Sequence, residues 1–168
     1  MPEKQSPHPL MFTFRDIISG TEFLVGITVS GRALMVQECD DEWWMYGVRP
    51  GSIAEVGKTA EEALARFKNK YREILFDIAG EFRDFVTFKG EVERFFYELD
   101  REEERRWEKA VNEMRSGNLM PPPPLSKLPR EAPESRPTQI TVERLDGESK
   151  RFMPTDNVPD IYRMPLAA

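Results

Sequence analysis

The chain has 168 residues, 39% of them apolar, and a net charge of −6, which is enough for one domain with a real core plus appendages and disfavours nucleic-acid binding through a broad basic face. Its single cysteine, Cys39, excludes an internal disulfide. With no secretory-type leader and no apolar run of membrane-spanning length, a cytoplasmic protein off the membrane is expected.

Ten of the 14 prolines lie at or beyond Pro121, so the compact part is expected in the N-terminal two thirds. Residues 1–9 read as a disordered lead. They contain His8, the one histidine, flanked by Pro7 and Pro9 and expected in solvent. A strand-rich block follows. Leu10–Arg15 alternates Phe12 and Phe14 with Thr13 and Arg15, and Ser19-Gly20 breaks it. Phe23–Val29 is apolar and β-branched, with Gly26 a candidate bulge. After a break at Ser30-Gly31, Ala33–Glu38 forms a third strand. The acidic turn Cys39-Asp40-Asp41-Glu42 then leads to the aromatic strand Trp43–Val48. Arg49-Pro50-Gly51-Ser52 turns into a short fifth strand, Ile53–Val56.

The segment GSIAEVGKTAEEAL, from Gly51 to Leu64, has the look of a phosphate-binding loop. Its spacing speaks against that. Five residues separate Gly51 from Gly57, one more than a P-loop has, and Glu55 would bring a carboxylate toward the anion. Thr59-Ala60-Glu61-Glu62 fits a helix capping box instead. Leu64, Phe67, Tyr71, Ile74, Leu75 and Ile78 then recur at helical spacing, with Gly80 as the expected stop.

A second helix is expected over 84–117. Phe88, Val92, Phe95, Phe96 and Leu99 form one apolar face, which Trp107, Val111 and Met114 continue, so one rod of about 40 Å is expected at 1.5 Å per residue. The run DREEERRWEK reads as its solvated side. Residues 118–137 read as a Pro-rich linker, and 138–168 as an extension with a strand over Gln139–Leu145 and a return over Glu148–Met153. The fold class expected is α+β: an antiparallel sheet of about five strands with a helix on one face, a second long helix and a Pro-rich C-terminal extension.

Few residues suggest chemistry. Glu38, Asp40, Asp41 and Glu42 are a carboxylate cluster of the kind that holds a divalent cation, but at a hairpin tip such acids are usually solvated. Cys39 has no local base to activate it. No cofactor is expected. Trp43 and Met45 must share one face of their strand, and Trp44 and Tyr46 the other. One pair belongs to a core. The second is a candidate protein-binding surface. The overhanging end of the long helix makes Trp107, Val111 and Met114 a second candidate, with a homodimer expected there.

The block Ala33–Ala79 resembles the HicB-like antitoxin domain. The resemblance rests on the strand ALMVQE, the acidic turn CDDE, the aromatic strand WWMYGV, the turn RPGS, the short strand and hinge IAEVGK, and the helix opening Thr59-Ala60-Glu61-Glu62-Ala63-Leu64. It implies a sheet covered by helix on one face, without catalysis, that binds and blocks a small toxin ribonuclease of the HicA type. It also implies a C-terminal DNA-binding element, for which no compact helical motif follows residue 118. The expected function is therefore non-enzymatic protein binding. The alternatives are a DNA-binding regulator and a metal-dependent nuclease using the acidic turn.

Overall fold

A computed structural model describes residues 6–121, 125 and 138–146. The chain runs β1 (His8–Ser19), β2 (Leu24–Cys39), β3 (Glu42–Arg49), β4 (Ala54–Gly57), α1 (Ala60–Glu81), α2 (Phe85–Tyr97), α3 (Arg101–Arg115) and β5 (Gln139–Arg144). The fold is α+β, with one antiparallel five-stranded sheet. Its order is β1-β2-β3-β4, and β5 pairs with β2.

The long strand β2 organises the sheet. It pairs with β1 along its length, from Ser19↔Leu24 to His8↔Met35. On its other side the C-terminal half pairs with β3, from Arg32 to Cys39. The N-terminal half, Val25–Ser30, pairs with β5. The C-terminal strand thus fills the part of β2 that β3 leaves unpaired instead of lengthening an outer edge. The expected break at Ser30-Gly31 does not occur, because the two short strands read there are one. Gly31 serves close packing: a Cβ on it would lie 2.4 Å from the Phe12 ring and 2.7 Å from the Arg49 carbonyl oxygen. Gly26 is likewise in regular register rather than a bulge.

Side-chain alternation gives the sheet two faces. Phe12, Phe14, Ile18, Val25, Ile27, Val29, Met35, Trp43 and Met45 are buried on the first face with Phe67, Tyr71 and Leu75 of α1 and Phe88, Val92 and Phe96 of α2. Each such large side chain contributes about 1.5–3 kcal/mol when buried. Edge-on ring pairs, Phe12 with Phe67 and Phe14 with Tyr71, lock α1 onto β1. The Thr59 hydroxyl accepts the Glu62 N–H at 3.1 Å and starts α1, and the Glu62 carboxylate accepts the Lys58 N–H at 2.9 Å. Gly57-Lys58 is therefore a strand–helix hinge. Gly80 does not stop the helix, which runs one residue further and is capped by Phe82.

The expected rod over 84–117 is two helices on opposite faces of the sheet. α2 ends at Tyr97, and the Asp100 side chain caps α3 by accepting the N–H groups of Glu102 and Glu103. Between them the Glu98 carbonyl accepts the Gly51 N–H at 3.1 Å, which holds the crossing chain against the turn that ends β3. Helical periodicity continues in phase across this break, so the apolar stripe alone does not reveal it. The signal is Asp100 followed by three glutamates, an N-cap with an acidic first turn.

The lead expected over residues 1–9 is likewise shorter. His8 and Pro9 belong to β1, and His8 is buried at 6% exposure instead of solvated. The return strand expected over Glu148–Met153 and most of the 118–137 linker lie outside the described residues. No helix among the described residues is long and apolar enough to cross a membrane.

Candidate functional site

The second face of the sheet is covered by α3 across part of its width. Leu34 of β2, Val48 of β3 and Ala110 of α3 form a small core, with Tyr46, Leu99, Trp107 and Leu119 packed around it. The expected alternation in β3 holds, since Trp43 and Met45 are in the main core and Trp44 and Tyr46 are half-buried on this second face. The two exposed-side candidates therefore flank α3 on its β3 side.

There Trp44 and Tyr46 stack nearly parallel, with centroids 5.6 Å apart and planes 11° from coplanar. The acidic turn holds both. Trp44 Nε1 donates to Glu42 Oε1 at 2.6 Å, and the Tyr46 hydroxyl donates to Glu38 Oε1 at 3.1 Å. Burial, with the Glu38 hydrogen bond and charge behind it, pushes the Tyr46 hydroxyl up to about 12, so it stays a donor through the physiological range. Arg106 of α3 lies over the Tyr46 ring at 5.8 Å and donates from Nη1 to both Glu103 oxygens, at 2.8 and 3.0 Å. Burial raises the Glu103 carboxyl, and Arg106 opposes that rise.

The other flank of α3 is different. Trp107, Val111 and Met114 line an apolar groove with Pro9, Leu10, Met11 and Arg115, of about 410 Å³. Trp107 packs on the sheet and does not overhang it. Arg32 lies 4.9 Å from the centre of its ring and reaches Glu104 at 3.4 Å. The five candidate binding residues thus divide into two surfaces, Trp44 with Tyr46 on one side of α3 and Trp107, Val111 and Met114 on the other. Met114 is the most open of the second set, at 36% exposure.

Four residues that build these surfaces, Arg32, Glu103, Glu104 and Arg106, are not among the candidates the sequence pattern singles out. The run from Asp100 to Lys109 reads as a solvated charged face, yet Glu103, Glu104 and Arg106 turn toward the sheet. The available signal was Arg32, an arginine at the same parity as the buried Leu34 and Val36 of β2.

Among the described residues no group of three His, Cys, Asp or Glu side chains converges as a metal ion requires. Glu38 and Glu42 serve as acceptors for aromatic side chains, and Asp40, Asp41 and Cys39 are exposed. Compared with known protein families, curated proteins and solved structures, the chain has no match.

Proposed function

We propose that this chain is a non-enzymatic protein-interaction module of the HicB-like kind, which neutralises a small toxin ribonuclease of the HicA type by covering its RNA-contacting face. One observation carries the reading. A stacked Trp44–Tyr46 pair stands on the sheet with its polar tips fixed by Glu38 and Glu42. Rigid, part-exposed aromatics of this sort are the usual anchors of protein interfaces. The carboxylates around them give the surface a negative charge. A ribonuclease grips a polyanion with cations, so its working face is the complement of this surface. The order of elements supports the same reading: a hairpin with an acidic turn, a short strand and a capped helix follow one another from β2 to α1.

The proposal includes a homodimer through the groove of Trp107, Val111 and Met114, an open apolar surface beside the end of β1. The free, exposed thiol of Cys39 suits a reducing cytoplasm. The functional test is RNA cleavage by a HicA-type toxin titrated with the chain. Inhibition that saturates at a fixed stoichiometry is expected, with loss in Trp44→Ala. Undiminished cleavage in excess wild-type chain would overturn the reading. Light scattering tests the dimer, with Met114→Glu expected to shift it to monomer. A monomeric wild type at micromolar concentration would remove it.

A further inference from the structure

Four arginines among the described residues lie over aromatic rings: Arg32 over Trp107, Arg49 over Tyr97, Arg106 over Tyr46 and Arg144 over Phe85. In two of them a glutamate completes the arrangement, Glu104 for Arg32 and Glu103 for Arg106. This is a repeated recognition unit, a guanidinium stacked on a ring and held at its edge by a carboxylate. Trp44 offers a ring with a carboxylate at its edge, although here the carboxylate is bonded to the ring itself, and Tyr46 stacks on the ring. Its indole N–H fixes one oxygen of Glu42 at 2.6 Å, while Glu38 stands at the tip of the neighbouring Tyr46. Among the described residues no guanidinium occupies it.

Charge pairing points the same way. Nine carboxylates among the described residues sit in ion pairs, with Asp16 on Arg72 and Glu113 on Lys109 among them. Glu38, Asp40, Asp41 and Glu42 of the β2–β3 hairpin have no ion pair among the described residues. The hairpin is therefore a strip of uncompensated negative charge beside an aromatic stack. A carboxylate strip alone attracts any cation. The flat indole beside it favours a planar, weakly hydrated one, which is arginine over lysine.

We infer that Trp44, with Glu42 and Glu38, is an arginine-binding site for a basic segment of a partner protein. The partner's guanidinium stacks on the indole and takes the carboxylate oxygens that the aromatic N–H and O–H leave open. The inference rests on the protein-binding reading above and supplies its chemistry: the partner presents arginine here, not lysine and not an apolar side chain. The occupant follows from charge complementarity with the hairpin carboxylates and from the arginines that this chain itself places over Trp107 and Tyr46.

The test needs no natural partner. The indole N–H signals of Trp43, Trp44 and Trp107 are followed by nitrogen-15 NMR while hexa-arginine is added, with Trp44 assigned from Trp44→Phe. The Trp44 signal is expected to move saturably, with Trp43 in the main core unmoved. Hexa-lysine is expected to bind at least about fivefold more weakly. Hexa-citrulline, which keeps the shape of arginine without its charge, is expected to leave the signal in place, and Glu42→Gln to weaken the arginine response. A static Trp44 signal with hexa-arginine, or equal shifts with all three peptides, overturns the site. Because the peptides alter nothing in the chain, a destabilised variant cannot obscure the result. Arginine binding without ribonuclease inhibition would remove the toxin reading and keep the site. Inhibition without arginine binding would remove the site alone.

Discussion

Replacing Gly57 by alanine separates the hinge reading of Gly57-Lys58-Thr59 from any phosphate-binding reading. Gly57 ends β4 where the strand meets the first turn of α1, and its backbone is in the ordinary negative-φ range, since Gly117 is the one glycine with positive φ among the described residues. The need for glycine here is space. A Cβ would lie 2.5 Å from the Ala63 nitrogen and 2.8 Å from the Glu62 carbonyl carbon, both main-chain atoms. A relaxed contact needs about 3.5 Å, so α1 must recede from β4 by about 1 Å. Overpacking of this kind costs about 1–3 kcal/mol, or roughly 4–12 °C in Tm at about 4 °C per kcal/mol. Gly90 supplies the opposite sign. It is exposed within α2, a Cβ there would meet nothing within 4 Å, and alanine should add about 0.5–1 kcal/mol through helix propensity. Urea unfolding followed by tryptophan fluorescence measures both. A Gly57→Ala chain as stable as wild type would refute the close strand–helix contact and return the hinge to question.

Three further outcomes are expected. Thr59→Ala should lower stability by about 1 kcal/mol in the same unfolding assay, through loss of the cap at Glu62 N–H, and an unchanged midpoint would place the helix start elsewhere. Tyr71→Phe should raise stability by about 1 kcal/mol, because the Tyr71 hydroxyl is buried without a hydrogen-bond partner and burial holds its pKa up; a loss on calorimetric melting would show that the hydroxyl is satisfied. Burial lowers the His8 pKa from 6.5, so the unfolded chain takes up the proton first and stability should fall as pH drops below about 6.5, levelling off below the folded-state pKa. His8 is the one histidine, so its ring-proton NMR signal reports the midpoint directly, and a midpoint at or above 6.5 would contradict its burial.

The parts of this fold that follow local rules were legible in the sequence. The Thr59 cap, the face parity of Trp43 to Tyr46 and the strand over Gln139–Arg144 each follow from a pattern a few residues long. The parts set by contact at a distance were not. Ser30-Gly31 has the composition of a break, but the Phe12 ring above Gly31 makes it continuous strand. The stripe from Phe88 to Met114 keeps one helical phase, while the hydrogen bond from Gly51 to Glu98 sends its two halves to opposite faces of the sheet. His8 sits among prolines typical of a loose end, and pairing with Met35 buries it. At the candidate site the same division holds. Trp44 and Tyr46 were visible as a surface pair and Glu38 and Glu42 as acids of the adjoining hairpin, but the reach of Glu38 from β2 to the Tyr46 hydroxyl and the approach of Arg106 from α3 were not.

Calorimetric titration of a HicA-type toxin into the wild-type chain and into Trp44→Ala, each at low and at high salt, tests the central claim most directly. The aromatic, acid-flanked surface predicts measurable heat with the wild type, affinity that weakens as salt screens the carboxylates, and at least a tenfold loss in Trp44→Ala, as expected for an interface anchor. Absence of binding by the wild type, or equal affinity for the two chains, would contradict it.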